Sequence, residues 1–167
     1  MNTDEGSGGD AMVPERLRKL PSRLLAQAST HAQRLVTEGL NGADAHKWHY
    51  AVLVALEEYG PASQAALSDR TGIHRSDLVA VINELAERDL VERAPDPADR
   101  RRNVVTITPP GRRWLRKLEQ LLDAAQEELL SPLSTQEREQ LTHLLGRVVA
   151  HHTPVGPRTG HAGTDGR

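Results

Sequence analysis

The spacing of apolar residues along the chain predicts a largely helical protein. In four stretches, apolar side chains recur every three or four residues, the periodicity of one face of an α-helix. These stretches begin near Leu24, Leu78, Leu115 and Leu141. The segment from His46 to Tyr59 is apolar nearly all round, which is typical of a buried helix. A short helix is also expected after Ser63, whose hydroxyl suits an N-cap.

One stretch alternates like a pair of strands instead. Val91 precedes a charged turn, Pro95–Asp99, and Val104, Val105 and Ile107 follow it, so the pattern predicts a β-hairpin. Three arginines lie just after the turn: Arg100, Arg101 and Arg102. The minor groove of DNA concentrates negative potential and attracts arginine, so this hairpin suits DNA binding. Asp99 is a candidate for orienting one of these arginines through a charge-assisted hydrogen bond.

A helix-turn-helix pattern precedes the hairpin. The helix after Ser63 is followed by Thr71–Gly72 and by a second helix from Arg75 to Arg88, called the recognition helix below. Its predicted buried face consists of Leu78, Val81, Ile82 and Leu85. The candidate DNA contacts are Ser63, His74, Arg75, Ser76, Asp77 and Asn83, together with Asp99, Arg100, Arg101 and Arg102.

The start of the recognition helix carries the chemistry for reading bases. Side chains near the N-terminus of such a helix reach base edges. Arg75 has the geometry to pair with guanine, and His74 or Ser76 can bind a base or a phosphate. The alternative is that Arg75 is an ordinary surface residue and that Ser76 only caps the helix.

The charge distribution supports a nucleic-acid partner only locally. The chain has a formal net charge of −2 and a pI of about 6.4. From Arg88 to Lys117, however, nine basic and four acidic residues give a net charge of +5. Such asymmetry is typical of a protein that presents one face to phosphates, although a solvated charged surface is the alternative.

Several function classes are disfavoured by what the sequence lacks. The chain has no cysteine, which excludes disulfides and thiolate catalysis. It has no Gly-rich phosphate loop, nucleophile elbow or HExxH motif, so we expect neither an enzyme nor a cofactor. We see no signal peptide and no run of 18 apolar residues, and therefore expect a cytoplasmic protein without a membrane partner.

We expect a single domain with two tails. Residues 1–13 and 153–167 are polar and rich in Gly or Pro, and are expected to be disordered. The domain between them, 14–152, would combine dimerisation helices at about 14–40 and 109–152 with a DNA-binding lobe at about 46–108.

Residues 48 to 111 resemble the MarR (multiple antibiotic resistance regulator) family of winged helix-turn-helix regulators. The resemblance rests on Leu53 and Leu56, on TGIHRSDLVAVINELAERDLVER from Thr71, and on DPADRRRNVVTITPPG from Asp96. The last segment is similar to that family's wing signature: an acidic residue, two arginines, a strand, Thr, and Gly two residues into the next helix. Asp89 occupies the place of the family's usual Gly, and so is expected to adopt a left-handed conformation.

The resemblance implies a mainly α fold with a small β-hairpin wing and a helical dimerisation lobe. It implies a homodimer that binds double-stranded DNA and regulates transcription, as a repressor. Two-fold symmetry then predicts a pseudo-palindromic operator with half-sites about one helical turn apart, roughly 34 Å. The wide Leu-rich faces of the first and the last two helices independently support a dimer, because they are wider than one small winged domain needs to bury. The alternative is that these helices fold back on their own chain as a monomer.

Many members of the family release DNA when a small phenolic or aromatic acid enters the cleft between the two lobes. Candidate residues here are His31, His46, Trp48, His49 and Tyr50. Their rings would stack on the ligand, and a histidine would pair with its carboxylate. The alternatives are that Trp48 is plain core and that no ligand is bound at all.

Two further alternatives stay open. Zinc could bind His46 with His49, or His151 with His152, but the sequence places no carboxylate or cysteine nearby. The winged fold could also serve as an architectural or protein-interaction module without a ligand response.

Overall fold

The computed structural model describes residues 13–153, so the tails expected at 1–13 and 153–167 lie outside this range except for Val13 and Thr153. In chain order the elements are α1 Glu15–Arg18, α2 Pro21–Asn41, α3 Lys47–Tyr59, α4 Gln64–Thr71, α5 Arg75–Glu87, β1 Val91–Pro95, β2 Asn103–Ile107, α6 Pro109–Leu129 and α7 Thr135–His152. The predicted fold class, mainly α with one antiparallel hairpin, is confirmed. None of the described helices is long and apolar enough to cross a membrane.

The chain separates into two compact units, one ending at Leu129 and one beginning at Leu130. The core of the first unit surrounds α3, where Val52, Leu53 and Leu56 are buried. Helix α5 packs its buried face into the same core. That face consists of Leu78, Val81, Ile82 and Leu85, as the periodicity predicted. The opposite face of α5 is therefore left for solvent or a partner.

The sequence predicts caps at Ser63, at Thr108 before Pro109 and at a Ser134–Glu137 capping box, and the structure confirms all three. Ser63 Oγ accepts a hydrogen bond from the Ala66 N–H at 3.2 Å, and Thr108 Oγ1 accepts one from the Gly111 N–H at 3.0 Å. In the second unit, Ser134 and Glu137 form a capping box in which each side chain accepts from the other's backbone N–H. Each cap satisfies a donor that the first helical turn leaves unpaired.

The hairpin pairs in the predicted order but with a longer turn. Val91 lies opposite Ile107, and Pro95 lies opposite Asn103. The prediction that Pro95 belongs to the turn is therefore wrong, because Pro95 is the last residue of strand β1. Proline has no N–H to donate, and it is tolerated at the end of a strand because no central ladder hydrogen bond is lost there. Ala62 and Val105 exchange backbone hydrogen bonds of 3.1 and 2.8 Å, which fasten the hairpin to the segment before α4.

The connection from α5 through the hairpin to α6 is tightly packed. Asp89 adopts the expected left-handed conformation, with φ of 56°. A Cβ atom on Gly111 would lie 2.0 Å from the carbonyl oxygen of Leu90. Only glycine fits at this point of the first turn of α6, which explains the Gly of the wing signature.

Within the described residues, α2 of the first unit and α7 of the second unit each expose apolar side chains. On α2 only Leu35 and Leu40 are buried, whereas Leu24 is 52% and Leu25 43% exposed. No residue of α7 is buried. Its exposed large apolar side chains are Leu144, Leu145, Val148 and Val149. Clusters of exposed large apolar side chains on one helix are typical of an interaction site.

Candidate nucleic-acid interface

The exposed face of α5 carries most of the predicted base-reading residues. Arg75, Ser76, Asp77 and Asn83 are all exposed there. Val79, 41% exposed, adds an apolar side chain to the same face. The face thus combines donors, acceptors and a methyl-bearing group, the chemistry that distinguishes base edges in a major groove.

The start of α5 is capped by a residue other than the one considered from sequence. His74 is the N-cap, and its Nδ1 accepts from the Ser76 N–H at 3.4 Å. The Ser76 hydroxyl lies 2.9 Å from the same nitrogen. The interpretation of Ser76 as the cap is therefore wrong, because His74 occupies that role and Ser76 lies within the first helical turn.

A concave surface of about 650 Å³ lies between α4, α5 and the hairpin. It brings together three of the predicted residues, Ser63, Asn83 and Arg102. It also includes Gln64, Val79, Arg93 and Asn103, which sequence reasoning did not select as DNA contacts. Strand periodicity could have identified Arg93. Alternate residues of a strand share a face, so Arg93 lies on the same face as the buried Val91 and turns toward α5.

Asn83 and Arg93 are paired across this surface. An Nη2 N–H of Arg93 donates a 2.7 Å hydrogen bond to Oδ1 of Asn83. The side-chain oxygen of Asn83 is thus engaged with strand β1. Asn83 links the recognition helix to the hairpin in addition to facing outward.

The tip of the hairpin consists of two consecutive turns, each opened by an aspartate. Oδ1 of Asp96 accepts from the Ala98 N–H at 2.8 Å, and Oδ1 of Asp99 accepts from the Arg101 N–H at 3.1 Å. The Asp99 carboxylate also lies 3.7 Å from Nε of Arg102, an ion pair too long for a hydrogen bond. Asp99 therefore accompanies Arg102 as an ion pair through Oδ2, but the expected hydrogen bond from an arginine side chain is not observed.

The basic residues of this region divide into two groups. Arg88 stacks on Trp114 at 4.2 Å, Arg93 binds Asn83, and Arg112 pairs with Glu57. Arg100 and Arg101 are exposed at the hairpin tip. Their side chains have no polar side-chain partner within residues 13–153. These two cations are therefore available to an external anion.

A separate cluster joins the start of α3 to α5. The backbone N–H of His46 donates to Nδ1 of His49 at 3.3 Å, so the proton of His49 is on Nε2, which donates to Glu84 at 2.7 Å. Nε2 of His46 lies 3.4 Å from the same Glu84 oxygen. Burial, followed by the nearby His46, lowers the pKa of His49. The hydrogen bond from His49 lowers the pKa of Glu84. The cluster therefore holds a neutral imidazole against a carboxylate.

The sequence expectation that no carboxylate lies near His46 and His49 is wrong. Glu84 is 35 residues from His49 along the chain, and only the packing of α3 against α5 brings them together. Spacing along one helix could not reveal this contact.

Of the five predicted ligand residues, the structure brings together three: His46, His49 and Trp48, whose ring lies edge-on to that of His46 with centroids 6.0 Å apart. His46 and His49 stack with ring centroids 3.6 Å apart and line a cavity of about 530 Å³. A second, more apolar cavity of about 340 Å³ lies between α2 and the start of α3. It is lined by Ala32, Gln33, Val36, Thr37, Ala45, His46 and Lys47. His31, Trp48 and Tyr50 line neither cavity. The alternative that Trp48 is plain core is also wrong, since it is 36% exposed.

Together, a helix-turn-helix and an arginine-tipped hairpin on one compact unit define a winged helix-turn-helix DNA-binding protein. The sequence model of a protein family, described as the MarR family, matches residues 38–102. A transcriptional regulatory protein for the hcr operon of Thauera aromatica is 35% identical, over 65% of this chain and 67% of that protein. The transcriptional repressor NicR of Pseudomonas putida is 30% identical, over 60% of this chain and 63% of NicR.

Solved structures agree with the sequence matches. The PcaV transcriptional regulator of Streptomyces coelicolor, determined in complex with its natural ligand, superposes with a TM-score of 0.70 and 26% identity. The match covers 85% of this chain and 100% of that one. The chain belongs to the MarR family. It is a DNA-binding transcriptional regulator and not an enzyme.

Proposed function

We propose that this regulator binds a specific double-stranded operator, with α5 in the major groove and the hairpin at the adjacent minor groove. The observation that carries the proposal is the outward face of α5, which shares a concave surface with Arg93 and Arg102 of the hairpin. The exposed Arg100 and Arg101 precede Arg102 in the chain. Arg75, Ser76 and their neighbours would select the sequence, whereas Arg100 and Arg101 would supply affinity through the backbone and the minor groove.

The proposed assembly is a homodimer. Its support is the uncovered apolar surface on α2 and α7, including Leu24, Leu25 and Val148. Two-fold symmetry would place two α5 helices in successive major grooves, on half-sites roughly 34 Å apart. The operator would therefore be pseudo-palindromic.

We further propose that the dimer represses transcription in the cytoplasm, where its operator would be found. The support is the similarity to NicR, which is named as a repressor. A dimer bound across two successive major grooves would obstruct RNA polymerase wherever its operator overlaps a promoter.

A small aromatic acid is the proposed effector. The cavity between α2 and α3 supports this class, since Val36 and its apolar neighbours would hold a ring, while Lys47 and His46 offer partners for a carboxylate. PcaV, which is similar over its whole length, was determined with its natural ligand. A thermal-shift screen of phenolic and benzoic acids tests this proposal, with Lys47→Ala as the variant expected to lose the response.

Sequencing of the genomic fragments retained by the purified protein, with competitor DNA at fixed salt, tests the operator proposal. Enrichment of one palindromic motif is the expected result. Retention that tracks fragment length alone would instead indicate an architectural, sequence-independent protein.

A further inference from the structure

The cluster at the start of α3 contains the donor set of a metal site. His46, His49 and Glu84 each offer one ligand atom, and all three atoms lie within 4.8 Å of one another. The histidines come from α3 and its N-cap, and the glutamate comes from α5. The three ligands are thus held by two different, well-packed helices.

We propose that His46, His49 and Glu84 bind a divalent transition-metal ion of the zinc class. Two imidazole nitrogens and one carboxylate oxygen form a donor set that Zn²⁺ prefers. Metal–ligand bonds of about 2.0–2.2 Å in a tetrahedral site place the ligand atoms about 3.3–3.6 Å apart. The 3.4 Å separation between His46 Nε2 and Glu84 Oε2 already fits this spacing.

The ring orientation, one distance and one proton must change on binding. The rings of His46 and His49 stack with an interplanar angle of 25°, so they must rotate before a nitrogen lone pair of each can point at one ion. The 2.7 Å contact between His49 and Glu84 must lengthen by roughly 0.5–1 Å to reach the tetrahedral spacing. The Nε2 proton of His49 must move to Nδ1, so that Nε2 can bind the ion. His49 then gives up the hydrogen bond from the His46 backbone N–H.

The surroundings leave a coordination position open and moderate the affinity. The adjoining cavity is also lined by Asn41, Asp44, Glu87 and Arg88, and has room for water as a fourth ligand. Arg88 is positive and would weaken metal binding. Its guanidinium stacks on Trp114 and donates a 2.9 Å hydrogen bond to the Asp44 carbonyl. The bound ion would fasten the start of α3 to the recognition helix.

The test is competition between the full-length protein and a chromophoric chelator for Zn²⁺. One bound ion per chain is expected. Glu84→Gln keeps an acceptor for His49 but removes the anionic ligand, and should weaken binding at least tenfold, as should His46→Ala. Glu87→Gln, which changes a carboxylate in the same cavity, should leave the affinity unchanged.

A second variant separates this site from the other histidine pair. His151→Ala/His152→Ala removes the neighbouring rings at the end of α7 and should leave binding intact. Co²⁺ substitution should give an intense visible d–d spectrum, typical of four-coordinate cobalt, that Glu84→Gln abolishes. The proposal is overturned if Glu84→Gln and His46→Ala bind like the wild type, or if only the His151/His152 variant loses the ion. Circular dichroism of each variant verifies folding.

Discussion

The guanidinium of Arg93 donates a 2.7 Å hydrogen bond to the side-chain oxygen of Asn83. This bond connects the first strand of the wing to the recognition helix. The two parts of the proposed DNA interface are therefore joined by side chains as well as by the intervening chain, and the orientation of one depends on the other.

Asn83→Ala and Arg93→Ala should therefore be non-additive in operator affinity. Each removes the same hydrogen bond, so a double-mutant cycle should give a coupling energy of about 0.5–3 kcal/mol. Fluorescence anisotropy with labelled operator measures it. The pair Asn83→Ala and Arg100→Ala, which share no hydrogen bond, is the control and should be additive. Additivity in both cycles would show that Asn83 acts on DNA independently of Arg93.

Arg101→Ala should weaken operator binding and make it less sensitive to salt. Loss of one phosphate or minor-groove contact lowers the slope of log K against log salt by about 1. Gel-shift titrations from 50 to 200 mM salt, the range over which such slopes are resolved, measure it. Arg34→Ala removes an exposed arginine paired with Glu38 on α2 and should leave the slope unchanged. An unaltered slope in Arg101→Ala would contradict the proposed role of the hairpin tip.

Leu24→Glu/Leu25→Glu should convert the protein to a monomer. These side chains are exposed and apolar, and charges would prevent their burial in a dimer interface. Light scattering during size exclusion should give about twice 18.3 kDa for the wild type and about 18.3 kDa for the variant. Tyr59→Glu, at another exposed apolar position, should remain dimeric. A wild-type mass of one chain would refute the proposed assembly.

Gly111→Ala should destabilise the first unit. The new methyl group would meet the Leu90 carbonyl oxygen at 2.0 Å, and overpacking of this kind costs about 1–3 kcal/mol or more. Urea unfolding measures the change. Gly146→Ala on α7 is the matched control, because nothing lies within 4 Å of its added Cβ. That change should stabilise its helix by roughly 0.5–1 kcal/mol.

The start of α7 should fray as the pH falls. The Ser134 backbone N–H, which donates to Glu137, lowers the pKa of that carboxyl from its ordinary value of 4.5. The capping contribution is therefore complete above pH 4.5 and is lost as the pH falls through the lowered pKa. The protection factors of amides in the first turn of α7, which are exchange rates corrected for their intrinsic pH dependence, should fall over that range. Glu137→Gln keeps the cap geometry and should remove the pH dependence.

The local parts of the fold followed from sequence because local rules govern them. Caps at Ser63, Thr108 and Ser134, the buried face of α5 and the alternation of the hairpin all involve residues close together in the chain. The wing turn was placed slightly wrong because proline is compatible with both a turn and the last position of a strand.

The candidate sites were less accessible because their contacts are long-range. Glu84 contacts His49, which lies 35 residues away in the chain. In the sequence alone, Glu84 has the pattern of an ordinary solvent-exposed helix residue. The pairing of Asn83 with Arg93 depends on how the hairpin folds back on α5. Among the predicted ligand residues, His46 and His49 line a cavity and Trp48 lies edge-on to His46, whereas His31 and Tyr50 line neither of the two cavities.

The backbone bonds between Ala62 and Val105 bear on the thermodynamics of DNA binding. They give the hairpin a third attachment, so that much of its conformational entropy is lost when the protein folds and not when it meets DNA. A hairpin ordered in advance makes its contacts without a later ordering penalty. Binding should therefore show little of the heat-capacity change that accompanies coupled folding of a disordered wing.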